Sequence, residues 1–69
     1  MSPAEFKATR LKLELSQRDL GRILNTDQHT VRRWEDTSGK RPPNPIACRV
    51  LEWMLNGYRP PEFPYANNA

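Results

Sequence analysis

The apolar residues of this sequence recur every three or four positions, the spacing of one face of an α-helix. In the first segment, Phe6 and Leu13 lie on one side with the small Ala4 and Ala8. Three later segments share this spacing, and their apolar positions are Leu20, Ile23 and Leu24, then Val31 and Trp34, then a run from Ile46 to Leu55. The pattern predicts an all-α fold with four helices.

Polar residues at the segment boundaries support this interpretation, because Ser, Asp and Asn side chains cap the free N–H groups of a helix. Ser2 and Ser16 are each followed three residues later by an acid, as in a capping box. The other predicted boundaries are caps at Asp27 and Asn44, with Pro45 in the first turn, and ends near Glu14, Asn25 and Gly57. Each of the four predicted helices therefore has its own start signal.

Gly21 lies in the middle of the second predicted helix, where glycine costs roughly 1 kcal/mol relative to alanine. A small residue at this position is explained if the third helix approaches the second closely. Two short helices joined by a turn of about 3–4 residues form a helix-turn-helix. The spacing from Ser16 to Glu35 fits that unit, although many other helical pairs share the spacing.

The last predicted helix is apolar around more than half of its circumference, with a polar strip of only Arg49, Glu52 and Asn56. A surface helix of a small domain needs an apolar stripe only somewhat wider than 100°. The surplus predicts a homodimer interface formed by Val50, Trp53, Met54 and Tyr58, with Phe63 and Tyr65 as further candidates. The alternative is that the chain after this helix folds back and covers the surplus itself.

Three prolines, Pro60, Pro61 and Pro64, mark the end of the sequence as non-helical. We expect a helical domain over residues 1–57 and an extended, proline-rich tail over residues 58–69, frayed at 67–69.

Composition narrows the functional classes. The formal net charge of +3 and the isoelectric point near 9.5 permit a polyanionic partner without requiring one. Cys48 is the only cysteine and His29 the only histidine, which argues against a disulfide, a zinc site or a nucleophilic catalytic pair. We expect no enzyme activity, cofactor, membrane span or signal peptide, and a cytoplasmic location.

The segment Ser16-Gln17-x-x-Leu20-Gly21-x-x-Leu24-Asn25-x-Asp27-x-x-Thr30-Val31-x-x-Trp34-Glu35 resembles the helix-turn-helix of the phage repressor/Cro family, also called the XRE family. Upstream, Glu5-Phe6-x-x-x-Arg10-x-x-Leu13-x-Leu15 is similar to that family's first helix. With the loop Gly39-Lys40-x-Pro42 and the fourth helix, the resemblance covers roughly residues 2–55. It implies a lambda-repressor-like fold that binds DNA.

The chain departs from the family pattern at four positions. Glu14 and Asn25 stand where the family usually has glycine, Gly21 replaces an alanine, and Asp27 replaces a capping serine. The last change keeps the cap but brings a carboxylate near DNA phosphates, where it can also accept from cytosine N4.

The resemblance also implies roles for individual residues. A step of 100° per residue puts Val31, Trp34 and Thr30 on one side of the third helix. The family that this segment resembles places the opposite side of this helix in the DNA major groove. The implied base-reading residues are Gln28, His29, Arg32 and Arg33, and the implied phosphate contacts are Gln17, Thr26, Lys40 and Arg41. The alternative is that these residues form an ordinary solvated surface and contact no DNA. Arg10 and Glu35 are expected to form a partly buried ion pair.

The leading expectation is a prokaryotic or phage transcriptional repressor that binds a palindromic operator as a homodimer and occludes a promoter, in some cases its own. The alternative is a protein-interaction module such as a DNA-binding antitoxin, with the tail or fourth helix holding a protein partner. A tail packed on its own chain favours the plain repressor.

Overall fold

The structure, a computed structural model, describes residues 1–39 and 41–64. Within these ranges the chain forms four α-helices and no strand, which confirms the predicted all-α fold. The helices are α1 (Pro3–Lys12), α2 (Gln17–Ile23), α3 (Gln28–Trp34) and α4 (Pro45–Leu55). The predictions for Lys40, for Tyr65 and for fraying at 67–69 lie outside the described residues.

The predicted helix starts are confirmed. The Ser2 hydroxyl accepts from the Glu5 backbone N–H at 3.1 Å while the Glu5 carboxylate accepts from the Ser2 N–H at 2.7 Å. The same reciprocal pair joins Ser16 and Asp19 at 3.0 and 3.2 Å. Asn44 caps α4 through its side-chain oxygen. Each cap satisfies N–H groups that have no partner within the helix.

Among the described residues, positive φ angles occur at three helix ends: Glu14 (59°), Asn25 (57°) and Gly57 (105°). Asn25 and Gly57 were predicted as helix ends, and the structure confirms both. Glu14 was predicted only as the approximate end of the first helix. Its left-handed conformation explains physically why glycine suits that position in the family that this segment resembles.

The core lies between the helices and draws on all four. Its buried apolar residues are Phe6, Leu13, Leu15, Leu20, Val31, Ala47, Leu51, Met54 and Phe63. The prediction that Ala4 and Ala8 belong to the packing side of α1 is wrong, because both are exposed. The buried side of α1 carries Phe6 and Arg10, and each alanine lies about 200° around the helix from Phe6.

The chain after Gly57 forms no helix as far as Pro64, as its prolines predicted, but it does not stand apart from the domain. Phe63 is 4% exposed and belongs to the core, and Pro60 is buried. The Arg59 guanidinium donates to the Met54 carbonyl at 2.8 Å and lies 4.5 Å from the centre of the Phe63 ring. The core therefore extends beyond the expected boundary at residue 57, as far as Phe63.

We expect Phe63→Ala to lower the free energy of unfolding by about 3 kcal/mol, since it removes a buried ring and leaves a cavity. Urea denaturation followed by circular dichroism measures this loss. Glu62→Ala, at an exposed neighbouring position, is the matched control and should change stability by less than about 0.5 kcal/mol. Equal stability of the two variants would contradict the packing of residues 59–63 on the core.

Candidate nucleic-acid interface

The turn between α2 and α3 brings the two helices into backbone contact. The Thr26 N–H donates to the Gly21 carbonyl at 2.7 Å, closing the turn in which Asn25 has its positive φ. A Cβ atom on Gly21 would lie 2.8 Å from the Asp27 carbonyl carbon and 3.0 Å from its oxygen. The close approach inferred from Gly21 is therefore confirmed.

Asp27 fixes the start of α3, as predicted. Its carboxylate accepts from the Thr30 backbone N–H at 2.7 Å. Hydrogen bonds from the backbone and side chain of Thr30 lower the pKa of the Asp27 carboxyl, with smaller contributions from His29 and Arg33. The side chain is therefore an ionised carboxylate at neutral pH. It is exposed at the N-terminus of α3, next to the first outward-facing residue, Gln28.

The two sides of α3 differ as the 100° step predicted. Val31 is fully buried, and Thr30 and Trp34 are half-buried. The four candidate base-reading residues, Gln28, His29, Arg32 and Arg33, are all exposed. This arrangement leaves one amide, one imidazole and two guanidinium groups facing outward from a helix whose other side is fixed in the core.

The expected ion pair is present and is deeply buried. Arg10 Nε lies 2.6 Å from Glu35 Oε2, and Nη2 lies 3.0 Å from Oε1. The third nitrogen, Nη1, donates to the Leu15 carbonyl at 2.8 Å. The two side chains are only 7% and 3% exposed. This bidentate pair joins α1 to the residue that follows α3.

Gln17 joins the same network, which sequence reasoning did not predict. Its amide Nε2 donates to Glu35 Oε1 at 3.1 Å, so Glu35 receives donors from both α1 and α2. The role of Gln17 as a phosphate contact stays a prediction. The hydrogen bond to Glu35 constrains the amide before any ligand arrives.

A groove brings residues from all three N-terminal helices together. It is lined by Lys7, Gln17, His29, Arg32, Arg33, Glu35 and Asp36. Lys7, on α1, was not singled out from the sequence. The sequence signal that could have identified Lys7 is its position between Phe6 and Arg10. When those two residues pack against α3, the orientation of α1, and with it the position of Lys7, is also determined.

Two other candidate phosphate contacts, Thr26 and Arg41, come before and after α3 in the chain. Thr26 is half-buried in the turn before it. Arg41 is exposed and shares a second groove with Arg33, Trp34 and Asp36. The structure therefore places Arg41 near Arg33, one of the four candidate base-reading residues, while Lys40 lies outside the described residues.

The predicted interface on α4 needs correction. Met54 is fully buried on the side that also carries Ala47 and Leu51, so its assignment to a dimer interface is wrong. Val50 is half-buried against the core. The proposed contribution of Phe63 is wrong for the same reason as that of Met54. Trp53 and Tyr58 stay exposed at 52% and 49%.

Trp53 and Tyr58 form an edge-to-face pair, with ring centres 6.3 Å apart and the Tyr58 N–H donating to the Trp53 carbonyl at 3.0 Å. Ile46 and Leu55 are also exposed on this helix, at 75% and 44%. The folded-back chain thus covers part of the surplus apolar surface of α4 and leaves these residues open.

The described residues contain no group of three or more His, Cys, Asp or Glu side chains placed to hold a metal ion. No helix among them is both long and apolar enough to cross a membrane.

Comparison of the chain with protein-family models, with curated proteins and with solved structures finds no match.

On the expectation that the outward side of α3 binds DNA, removing the Asp27 charge while keeping the cap should strengthen that binding. Asn caps a helix about as well as Asp, so Asp27→Asn should leave the stability at pH 7 nearly unchanged. Loss of repulsion from one phosphate should raise DNA affinity about 5-fold at low salt, measured by fluorescence anisotropy. Glu62→Gln, the control for net charge, should leave affinity nearly unchanged.

The same variant should differ from the parent in acid. The folded-state pKa of Asp27 is lowered from its ordinary value of 3.8, so its carboxylate contributes its full stabilisation above that value. That contribution disappears as pH falls through the lower folded value. Asp27→Asn should therefore lose less stability than the parent below about pH 4, and an identical acid profile would contradict this role for the carboxylate.

Proposed function

We propose that this protein binds double-stranded DNA sequence-specifically, with the outward side of α3 in the major groove, and that it acts as a transcriptional repressor. The single observation that carries the proposal is the exposed set Gln28, His29, Arg32 and Arg33 on a short helix held rigidly by a capped turn. Glutamine pairs bidentately with adenine and arginine with guanine. The resemblance to the phage repressor/Cro family supports the same function.

The groove adds electrostatic support. Lys7, Arg32 and Arg33 contribute three positive charges, whereas Glu35 is neutralised by Arg10 and only Asp36 remains as an opposing charge. A surface of this sign attracts the phosphate backbone regardless of sequence, and base contacts then provide specificity.

Selection from a pool of random duplexes at two salt concentrations tests the proposal. We expect one motif to be recovered at both concentrations, with half-sites arranged as an inverted repeat. Recovery of no motif would contradict sequence-specific binding. Occlusion of a promoter is then measured by placing the recovered motif over the promoter of a reporter gene, where expression should fall.

A homodimer through α4 accounts for the inverted repeat. Trp53, Tyr58 and Ile46 supply the exposed apolar contact, and the two α3 helices would then lie about 34 Å apart, one turn of DNA. Light scattering at tens of micromolar protein should give the mass of a dimer, and Trp53→Glu should give a monomer. A monomer both with and without DNA would contradict the proposal.

The packing of Phe63 on its own core favours this plain repressor over an antitoxin that uses its tail to hold a protein partner. Residues 59–63 are already committed within the chain, so they are not a free segment for a foreign surface.

A further inference from the structure

Lys7 is an exposed cation on α1 that belongs to none of the predicted DNA contacts. It lines the same groove as His29, Arg32 and Arg33 from α3. The groove therefore receives positive charge from two helices that are distant in sequence.

Two contacts fix α1 against α3 on either side of Lys7 in the sequence. The Phe6 and Trp34 rings meet edge to face with centres 5.9 Å apart, and three residues after Lys7 the Arg10 guanidinium is held by Glu35. The backbone of Lys7 is thus held at a defined position relative to the outward side of α3. Only the flexible side chain remains free to adjust.

Among the described residues, neither of the groove's two acids forms an ion pair with Lys7. Glu35 is paired with Arg10 in the core. The Asp36 carboxylate accepts from the Ser38 N–H at 2.9 Å and the Ser38 hydroxyl at 2.6 Å. The groove therefore carries an excess of positive charge that suits an anionic ligand.

We propose that Lys7 is a phosphate contact, through which α1 binds the DNA backbone beside the groove that α3 enters. This inference rests on the proposed function. A lysine ammonium is a compact charge on a flexible stem, which suits a phosphate oxygen better than bidentate recognition of a base. Its place on α1, rather than on α3, also favours the backbone over a base edge.

Lys12 provides a matched control within the same helix. It is an exposed lysine in the last turn of α1 and does not line the groove. Lys7→Ala and Lys12→Ala therefore make the same change in net charge and the same change in residue type within α1. Both positions are exposed, so both variants should fold.

The experiment measures binding constants for the full chain and both variants as a function of salt, by fluorescence anisotropy. One duplex carries the selected motif and a second has a random sequence. Loss of one phosphate contact reduces the slope of log K against log salt by about 0.9 per protomer. We expect this reduction for Lys7→Ala on both duplexes, and an unchanged slope for Lys12→Ala.

Equal slopes for Lys7→Ala and the parent, or equal reductions for the two variants, would overturn the assignment of Lys7. A loss confined to the duplex with the selected motif would overturn the phosphate contact in favour of a base contact. Failure of the parent chain to bind either duplex would instead overturn the proposed function, and the role of Lys7 with it.

Discussion

Replacing Arg10 with methionine should lower the free energy of unfolding by about 3–5 kcal/mol, because the Glu35 carboxylate would remain buried without its cation. A domain of this length has a total stability on the order of 3–10 kcal/mol. Much of the Arg10→Met protein should therefore be unfolded at 37 °C. Urea denaturation monitored by circular dichroism at 10 °C and 37 °C gives the change directly.

An exposed ion pair supplies the control for this prediction. Arg49 and Glu52 approach to 3.4 Å on α4, with side chains 67% and 55% exposed. Solvent screens such a pair, so Arg49→Met should cost less than about 1 kcal/mol. The double variant Arg10→Met, Glu35→Leu should regain most of the lost stability, since it removes both buried charges. Equal effects of Arg10→Met and Arg49→Met would contradict the burial of the first pair.

Replacing Arg32 and Arg33 together with alanine should reduce affinity for the selected DNA motif by at least about 100-fold. Each bidentate arginine–guanine pair contributes about 1–3 kcal/mol, and 1.4 kcal/mol corresponds to a factor of ten. Because both side chains are exposed, the unfolding transition should be preserved. Fluorescence anisotropy at constant salt measures the affinity.

The double variant Lys12→Ala, Arg49→Ala removes the same net charge from positions that do not line the groove. It should lower affinity only a few-fold, through the long-range field of the protein. A loss as large as that of the Arg32, Arg33 variant would show that net charge, and not the outward side of α3, governs binding.

The local parts of the fold could be predicted from the sequence because their causes are local. A capping box needs only residues three positions apart, and the positive φ of Asn25 follows from the residue type. The two sides of α3 follow from the helical repeat once Val31 and Trp34 are recognised as core residues. The proximity of Asp27 to Gly21 could be inferred because glycine has no other evident reason to occupy a helix centre.

The remaining features depend on contacts between distant residues. The sequence pattern of α4 showed a surplus of apolar surface without showing which part faces the core, so Met54 and Phe63 were assigned to the wrong surface. The hydrogen bond from Gln17 to Glu35 and the place of Lys7 in the groove arise from the packing of three helices. No spacing within a single helix predicts the hydrogen bond, and the position of Lys7 between Phe6 and Arg10 indicates its place only once those two residues are known to pack against α3.

The separation of the two sides of α3 also affects how this protein can evolve. Val31 and Glu35 are buried and cannot be replaced without loss of packing or of the ion pair. The four outward residues are exposed and can be exchanged at little cost in stability. After a gene duplication, one copy can therefore change its outward residues one at a time without passing through an unfolded intermediate. The architecture allows binding preference to diverge while the fold is inherited intact.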